Sequence, residues 1–132
     1  MGYTTQFSGI LKFTNPLTAE EELALQPLMG EDTDSLKKND AIDFVMPEGW
    51  RGGYIQLEIA KDKSGLQWDG SEKFYNAVET VNSVIMTMQK KFPDFGLKGG
   101  LIAQGEGVGD VWKLLIKDGK AIGEDIKIEI ED

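Results

Sequence analysis

The chain contains no histidine and no cysteine, so it lacks the side chains that most enzyme active sites use. Neither a Ser-His-Asp triad nor a Cys-His pair can form, and the usual zinc ligands are missing. Catalysis would need Asp, Glu, Lys or Tyr with a shifted pKa, or a hard metal held by carboxylates. The sequence therefore favours a binding protein over an enzyme, and we expect no catalytic residue, no metal and no cofactor.

The segment "PEGWRGGY", residues 47–54, is the strongest candidate for a binding site. Trp50 and Tyr54 flank Arg51, the only arginine in the chain, and two glycines between them allow close approach of a ligand to the backbone. A guanidinium between two aromatic rings could hold a carboxylate or phosphate, or anchor a protein interface. The competing interpretation is a surface loop whose aromatic side chains cover one end of the core.

The segment "LQWDGSEKFYNAVE", residues 66–79, offers two further aromatic candidates, Trp68 and Tyr75. Trp68 ends a predicted strand, Asp69-Gly70 turns the chain, and Asp69 or Ser71 caps the following helix, which makes this segment first of all a structural corner. This explanation gives no structural role to Tyr75. It could stand half-exposed beside Trp68 as an anchor for a ligand or partner.

Two other motifs carry less weight. "GEGVGD", residues 105–110, resembles a nucleotide-binding loop, but a strand follows it where a phosphate-binding loop needs a helix. The acidic clusters at 20–22, 31–34 and 124–132 could chelate a cation or meet a basic partner. Helix caps and solvated faces explain most of these charges.

Composition restricts the class of protein. With 132 residues, 40% of them hydrophobic and 28% charged, we expect one globular domain spanning residues 1–132. The net charge of −9 and the single arginine argue against direct nucleic-acid binding. No segment is apolar for long enough to span a membrane, and no signal peptide is recognisable, so we expect a cytoplasmic protein.

Patterning along the chain predicts alternating strands and helices. An alternating strand covers residues 3–13, a helix capped by Thr18 and Glu21 follows, and a brief strand near Ile42–Met46 is one interpretation of the irregular segment after it. Residues 55–68 favour a hairpin. Three more strands are expected after residue 96, with a tight turn at Asp118-Gly119 and alternation through the end of the chain.

The strongest pattern lies in residues 71–92, where apolar side chains recur at intervals of three and four. This spacing predicts an amphipathic helix ended by Pro93, with core packing preferred over a coiled-coil seam. Together the elements predict an α+β fold: an antiparallel sheet with two helices on one face, in a ferredoxin-like (split β-α-β) core plus a C-terminal β-hairpin. The stripe consists of Phe74, Val78, Val81, Ile85, Met88 and Phe92.

The run "WDGSEKFY" resembles a W-[DN]-G-x-E-K-F-Y motif of small uncharacterised proteins encoded by bacteriophages and prophages. The likeness covers residues 53–117 and the opening strand, "PLT" and helix. Where such proteins often carry a basic linker after the first helix, this chain has the acidic "GEDTDSLKKND". The resemblance implies a phage or prophage source, not a reaction.

We therefore expect a non-enzymatic, phage-encoded accessory or host-interaction protein that binds a protein partner in the host cytoplasm. The alternative is a small-molecule binder that sequesters an anionic ligand at the loop of Trp50, Arg51 and Tyr54. The sequence leaves the oligomeric state open.

Overall fold

The computed structural model describes residues 5–71, 74, 76–105 and 110–126, and it has an α+β fold built on one antiparallel sheet. Six strands form the sheet, and three α-helices are present in the described part of the chain. The elements are β1 (Gln6–Phe13), α1 (Ala19–Leu25), α2 (Thr33–Lys38), β2 (Leu57–Ile59), β3 (Gly65–Trp68), α3 (Ala77–Lys91), β4 (Leu97–Gln104), β5 (Val111–Lys117) and β6 (Lys120–Asp125).

The strand order is β2-β3-β1-β4-β5-β6, and every neighbouring pair is antiparallel. β1 lies near the centre and pairs with β4 along its whole length, from Gln6 opposite Gln104 to Phe13 opposite Leu97. Its alternation buries Phe7, Leu11 and Phe13 and leaves the residues between them more exposed. Because side chains alternate along a strand, one face of the sheet meets the core and the other faces outward.

The core joins these inward strand residues to α3 in a single cluster. Four residues of the predicted helical stripe are buried: Phe74, Val81, Ile85 and Met88. Val78 and Phe92 are partly buried and pack against the same cluster. The amphipathic pattern is thus confirmed as core, although α3 begins at Ala77 and not at Ser71 as the pattern predicted.

The first helix follows its sequence signals closely. The Thr18 hydroxyl accepts a hydrogen bond from the Glu21 N–H at 3.1 Å, and the Glu21 carboxylate accepts one from the Thr18 N–H at 3.0 Å. This reciprocal capping box fixes the start of α1, and Pro27 lies in the 3-10 turn that ends it. Among the described residues no helix is both long and apolar enough to cross a lipid bilayer.

The segment between α1 and β2 differs from the sequence prediction. Residues 42–46 form no strand, and the polar stretch before them contains α2, which the hydrophobic pattern did not indicate. Val45 bonds to α3 in place of a strand: its N–H donates to Thr87 Oγ1 at 2.9 Å, and its carbonyl accepts from the Ser83 hydroxyl. Side-chain hydroxyls therefore satisfy the backbone groups that a sheet would otherwise pair.

The C-terminal strands form around the expected turn. Asp118 and Gly119 both have positive φ, at 53° and 79°, as a two-residue turn between β5 and β6 requires. β6 begins at Lys120, ahead of the alternating segment at 124–132 on which the sequence prediction rested. Residues 127–132 lie outside the described residues, as do residues 106–109 of the "GEGVGD" loop.

Asn82 ties α3 to the outer edge of β6. Its Oδ1 accepts a hydrogen bond from the Ala121 N–H at 2.8 Å, and its Nδ2 donates to the Ala121 carbonyl at 3.0 Å. The side-chain amide thus pairs with a backbone amide as a neighbouring strand would. An edge strand whose backbone groups are already bonded is protected against pairing with other chains.

Replacing Asn82 by Ala is expected to lower the free energy of unfolding by about 1–3 kcal/mol, because two part-buried backbone groups of Ala121 lose their partner. Urea denaturation measures this change. Asn76→Ala is the matched control: Asn76 precedes the same helix, is exposed and makes no capping hydrogen bond through its side chain. Equal losses in the two variants would contradict the role of Asn82.

Candidate functional site

The loop of Trp50, Arg51 and Tyr54 is fastened to the start of α2. The Thr33 N–H donates to the Gly53 carbonyl at 2.8 Å, and the Gly53 N–H donates to Thr33 Oγ1 at 2.9 Å. An isolated β-bridge joins Asp32 to Tyr54. Thr33 is itself buried, with 1% of its surface exposed, so the loop is anchored on a fixed point of the core.

The three candidate side chains of this loop have different environments. Trp50 is partly buried, and its indole Nε1 is buried without a hydrogen-bond partner among the described residues. Arg51 is exposed, and Tyr54 has 61% of its surface exposed. Within the described chain Arg51 takes part in no salt bridge. The loop therefore presents the Arg51 guanidinium and the Tyr54 phenol to solvent, whereas the Trp50 indole nitrogen is buried.

Trp68 makes structural contacts at the corner between β3 and the segment that leads to α3, as the sequence analysis expected. Its ring lies 5.9 Å from that of Phe7, and its Nε1 donates to the Ser71 carbonyl at 3.1 Å. Asp69 turns the chain, because its carboxylate accepts a hydrogen bond from the Ser71 N–H at 2.9 Å. The second candidate of this corner, Tyr75, lies outside the described residues. The predicted cap is wrong, because α3 begins after Asn76, so neither Asp69 nor Ser71 caps it.

A groove that the sequence did not single out lies between α1, the segment 39–43 and the C-terminal half of α3. Its volume is about 590 Å³. Leu23 stands at the groove with 75% of its surface exposed, the largest exposed fraction among the bulky apolar side chains described. The apolar lining comes from Leu23, Ala24, Pro27, Ala41, Ile42, Met88 and Phe92.

Charged side chains surround this apolar lining. Glu20 and Asp43 supply negative charge, and Lys90 and Lys91 supply positive charge. Lys90 Nζ lies 3.1 Å from the Asp43 carboxylate, while Lys91 Nζ lies 5.7 Å from the centre of the Phe92 ring. The one local sign of the groove in the sequence is Leu23, an apolar residue that follows three glutamates in α1. The groove forms because the segment 39–43 folds against α3.

Among the described residues, no three acidic side chains are placed to share a metal ion. Hydrogen bonds from Ser64 hold the pKa of the Asp62 carboxyl below its ordinary value, and the charge of Lys12 contributes more weakly in the same direction. Asp62 is an exposed turn residue, so its shift reflects the turn and not an active site.

No family model, no curated protein and no solved structure matches the chain. A function must therefore be argued from the surfaces themselves.

Trp50 and Trp68, both partly buried, allow a matched test of the loop. Trp68→Phe removes an indole N–H that has an acceptor, whereas Trp50→Phe removes one that has none among the described residues. We expect Trp68→Phe to reduce the free energy of unfolding by about 1 kcal/mol more than Trp50→Phe, because only the first change breaks a hydrogen bond. Thermal and urea denaturation measure both. A larger loss at Trp50 would show that its indole has a partner in solution.

Proposed function

We propose that this chain is a non-enzymatic binding protein that engages a protein partner at the groove between α1 and α3. The observation that carries the proposal is the exposure of Leu23 beside the apolar lining of that groove. When a partner covers a bulky apolar side chain that is exposed to water, the removal of this surface from water favours binding. A groove between two helices is a common receptor for the apolar face of a partner's helix.

The distribution of charge around the groove supports a protein rather than a small molecule as its ligand. An apolar centre with polar and charged groups at its margin is the usual anatomy of a protein interface. Here both signs of charge occur at the margin, Glu20 and Asp43 against Lys90 and Lys91. Such a mixed margin can fix the orientation of a partner while contributing little to its affinity.

A second candidate function is the binding of a small anionic ligand at the loop of Trp50, Arg51 and Tyr54. The exposed guanidinium of Arg51, held on a loop that Thr33 anchors, favours it. The inward indole nitrogen of Trp50 weakens it, because a clasp between two aromatic rings needs both of them at the surface. Stabilisation of the protein by a phosphorylated or carboxylated compound, abolished in Arg51→Ala, would support this alternative.

We also propose that the sheet has a ferredoxin-like core with its helices on one face, extended by the β5–β6 hairpin. The strand order β2-β3-β1-β4 supports this, because a split β-α-β unit has this order.

We propose a phage or prophage origin, and with it action in the cytoplasm of the host cell. The resemblance of residues 68–75 to the W-[DN]-G-x-E-K-F-Y motif supports this origin.

The test is affinity capture of a partner from a lysate of the bacterium that carries the gene, with the wild-type chain and Leu23→Ser. The variant is expected to capture at least about tenfold less partner, because it removes the exposed apolar contact. Its melting temperature should change little, since substitutions at exposed positions usually shift stability by within about 0.5 kcal/mol.

Lys37→Ser is the control. Lys37 is exposed, like Leu23, but it lies on α2 and does not line the groove. Equal capture by wild type and Leu23→Ser would remove the groove as the binding site. Loss of capture in Arg51→Ala alone would move the site to the loop.

A further inference from the structure

The outward face of the sheet carries an unusual arrangement of lysines. Lys12 on β1 is paired with Lys98 on β4, and Lys117 on β5 is paired with Lys120 on β6. All four side chains are exposed, and none of them takes part in a salt bridge within the described chain. Like charges directly opposite each other on neighbouring strands destabilise a sheet.

At another position on the same face, a lysine is paired with an acidic residue on the neighbouring strand. Lys113 on β5 is paired with Glu124 on β6, and the Lys113 Nζ lies 3.5 Å from the carboxylate. The lysine pairs at the other end have no such arrangement across the strands. Asp62 and Asp118 lie in the adjoining turns, and the charge of Lys12 reaches Asp62.

The two lysine pairs lie at the same end of the sheet. Lys98 stands two residues before Gly100, Lys117 stands two residues after Leu115, and Gly100 is paired with Leu115. Because β4 and β5 are antiparallel, these offsets run in the same direction. The outward face thus gathers positive charge at one end of a chain whose net charge is −9.

An aliphatic row adjoins the lysines. Ile10 is paired with Gly100, Gly100 with Leu115, and Leu115 with Ile122, so the row crosses β1, β4, β5 and β6. Its side chains are partly exposed and do not belong to the core cluster. A Cβ on Gly100 would lie 2.5 Å from the Leu114 carbonyl oxygen and 3.0 Å from Leu115 Cδ2, so this position of the row has no room for a side chain. Ile102, 43% exposed, stands next to the row on β4.

We propose that the outward face formed by Lys12, Lys98, Lys117, Lys120 and the aliphatic row is a second docking surface, which takes a protein segment that combines acidic and aliphatic side chains. Carboxylates of the partner neutralise lysines that the fold leaves opposed, and its aliphatic side chains cover the row. This surface is separate from the groove, so it does not depend on the function proposed for Leu23.

The composition of the face favours a protein over a nucleic acid. The aromatic residues of the described strands, Phe7, Phe13, Trp68 and Trp112, belong to the core or pack against it, which leaves no aromatic ring on the outward face for base stacking. The single arginine, Arg51, lies in a loop outside the sheet, so the face also lacks bidentate base or phosphate contacts. The face combines aliphatic side chains with ammonium groups, so it is complementary to a partner segment that combines aliphatic side chains with carboxylates.

The first test measures binding of a fluorescein-labelled octapeptide of alternating glutamate and leucine by fluorescence anisotropy. Octapeptides of alternating glutamate and serine, and of alternating lysine and leucine, serve as probes of the separate contributions. We expect the glutamate–leucine peptide to bind most tightly, and its affinity to fall as salt is raised, because the lysines are exposed to screening. In methyl NMR spectra its addition should shift Ile102, Leu115 and Ile122 and leave Leu23 unchanged.

The second test separates function from structure. Lys12→Gln combined with Lys98→Gln should weaken peptide binding about tenfold, since two charged contacts are lost. The same change should leave the melting temperature unchanged or raise it by about 1–3 °C, because it removes a repulsive pair. Lys37→Gln combined with Lys38→Gln, at the end of α2, is the matched control and should leave binding unchanged.

Each other outcome overturns the proposal. Absence of peptide binding, or equal binding by the Lys12/Lys98 variant, shows that the face is not the docking surface. Tighter binding of oligouridylate or of phosphatidylglycerol vesicles at this face assigns it to a nucleic acid or a membrane. Self-association that the Lys12/Lys98 variant abolishes assigns it to a second copy of the chain. A lowered melting temperature in that variant gives the lysines a structural role.

Discussion

The structure depends on the contact between the buried side of α3 and the inward face of the sheet. Val81 and Val84 are fully buried there, in the same cluster as Leu11 of β1, Leu101 of β4 and Leu114 of β5. Burial of a valine or leucine side chain contributes about 1.5–3 kcal/mol relative to exposure, so this cluster supplies much of the driving force for folding. Removing it would leave the sheet without a partner for its apolar face.

The polar groups of α3 then determine where the rest of the chain lies. Ser83 and Thr87 bond to the backbone of Val45, Asn82 bonds to Ala121, and Lys90 pairs with Asp43. The contacts to Val45 and Asp43 hold the irregular segment 39–47 against the helix and so create the groove beside Leu23. The helix therefore organises the core with its apolar side chains and the candidate binding surface with its polar ones.

The sequence predicted the parts of the fold that local chemistry determines. The capping box of Thr18, the turn at Asp118-Gly119 and the apolar stripe from Phe74 to Phe92 all depend on short-range rules, and each is present. It missed α2, which buries only Thr33 and Leu36 and so leaves almost no periodic pattern. The groove and the opposed lysines could not be predicted, because they arise from strand register and from contacts between distant segments.

Urea denaturation of Val81→Ala, followed in parallel by tryptophan fluorescence and by helical circular dichroism, tests the role of α3 most directly. Trp68 and Trp112 pack against the shared core, whereas the dichroism reports the helices. If one core joins helix and sheet, both signals change in a single transition, and each gives a free energy of unfolding about 2 kcal/mol below that of the wild type. Loss of the helical signal ahead of the fluorescence change would contradict the account, because the sheet would then be stable without α3.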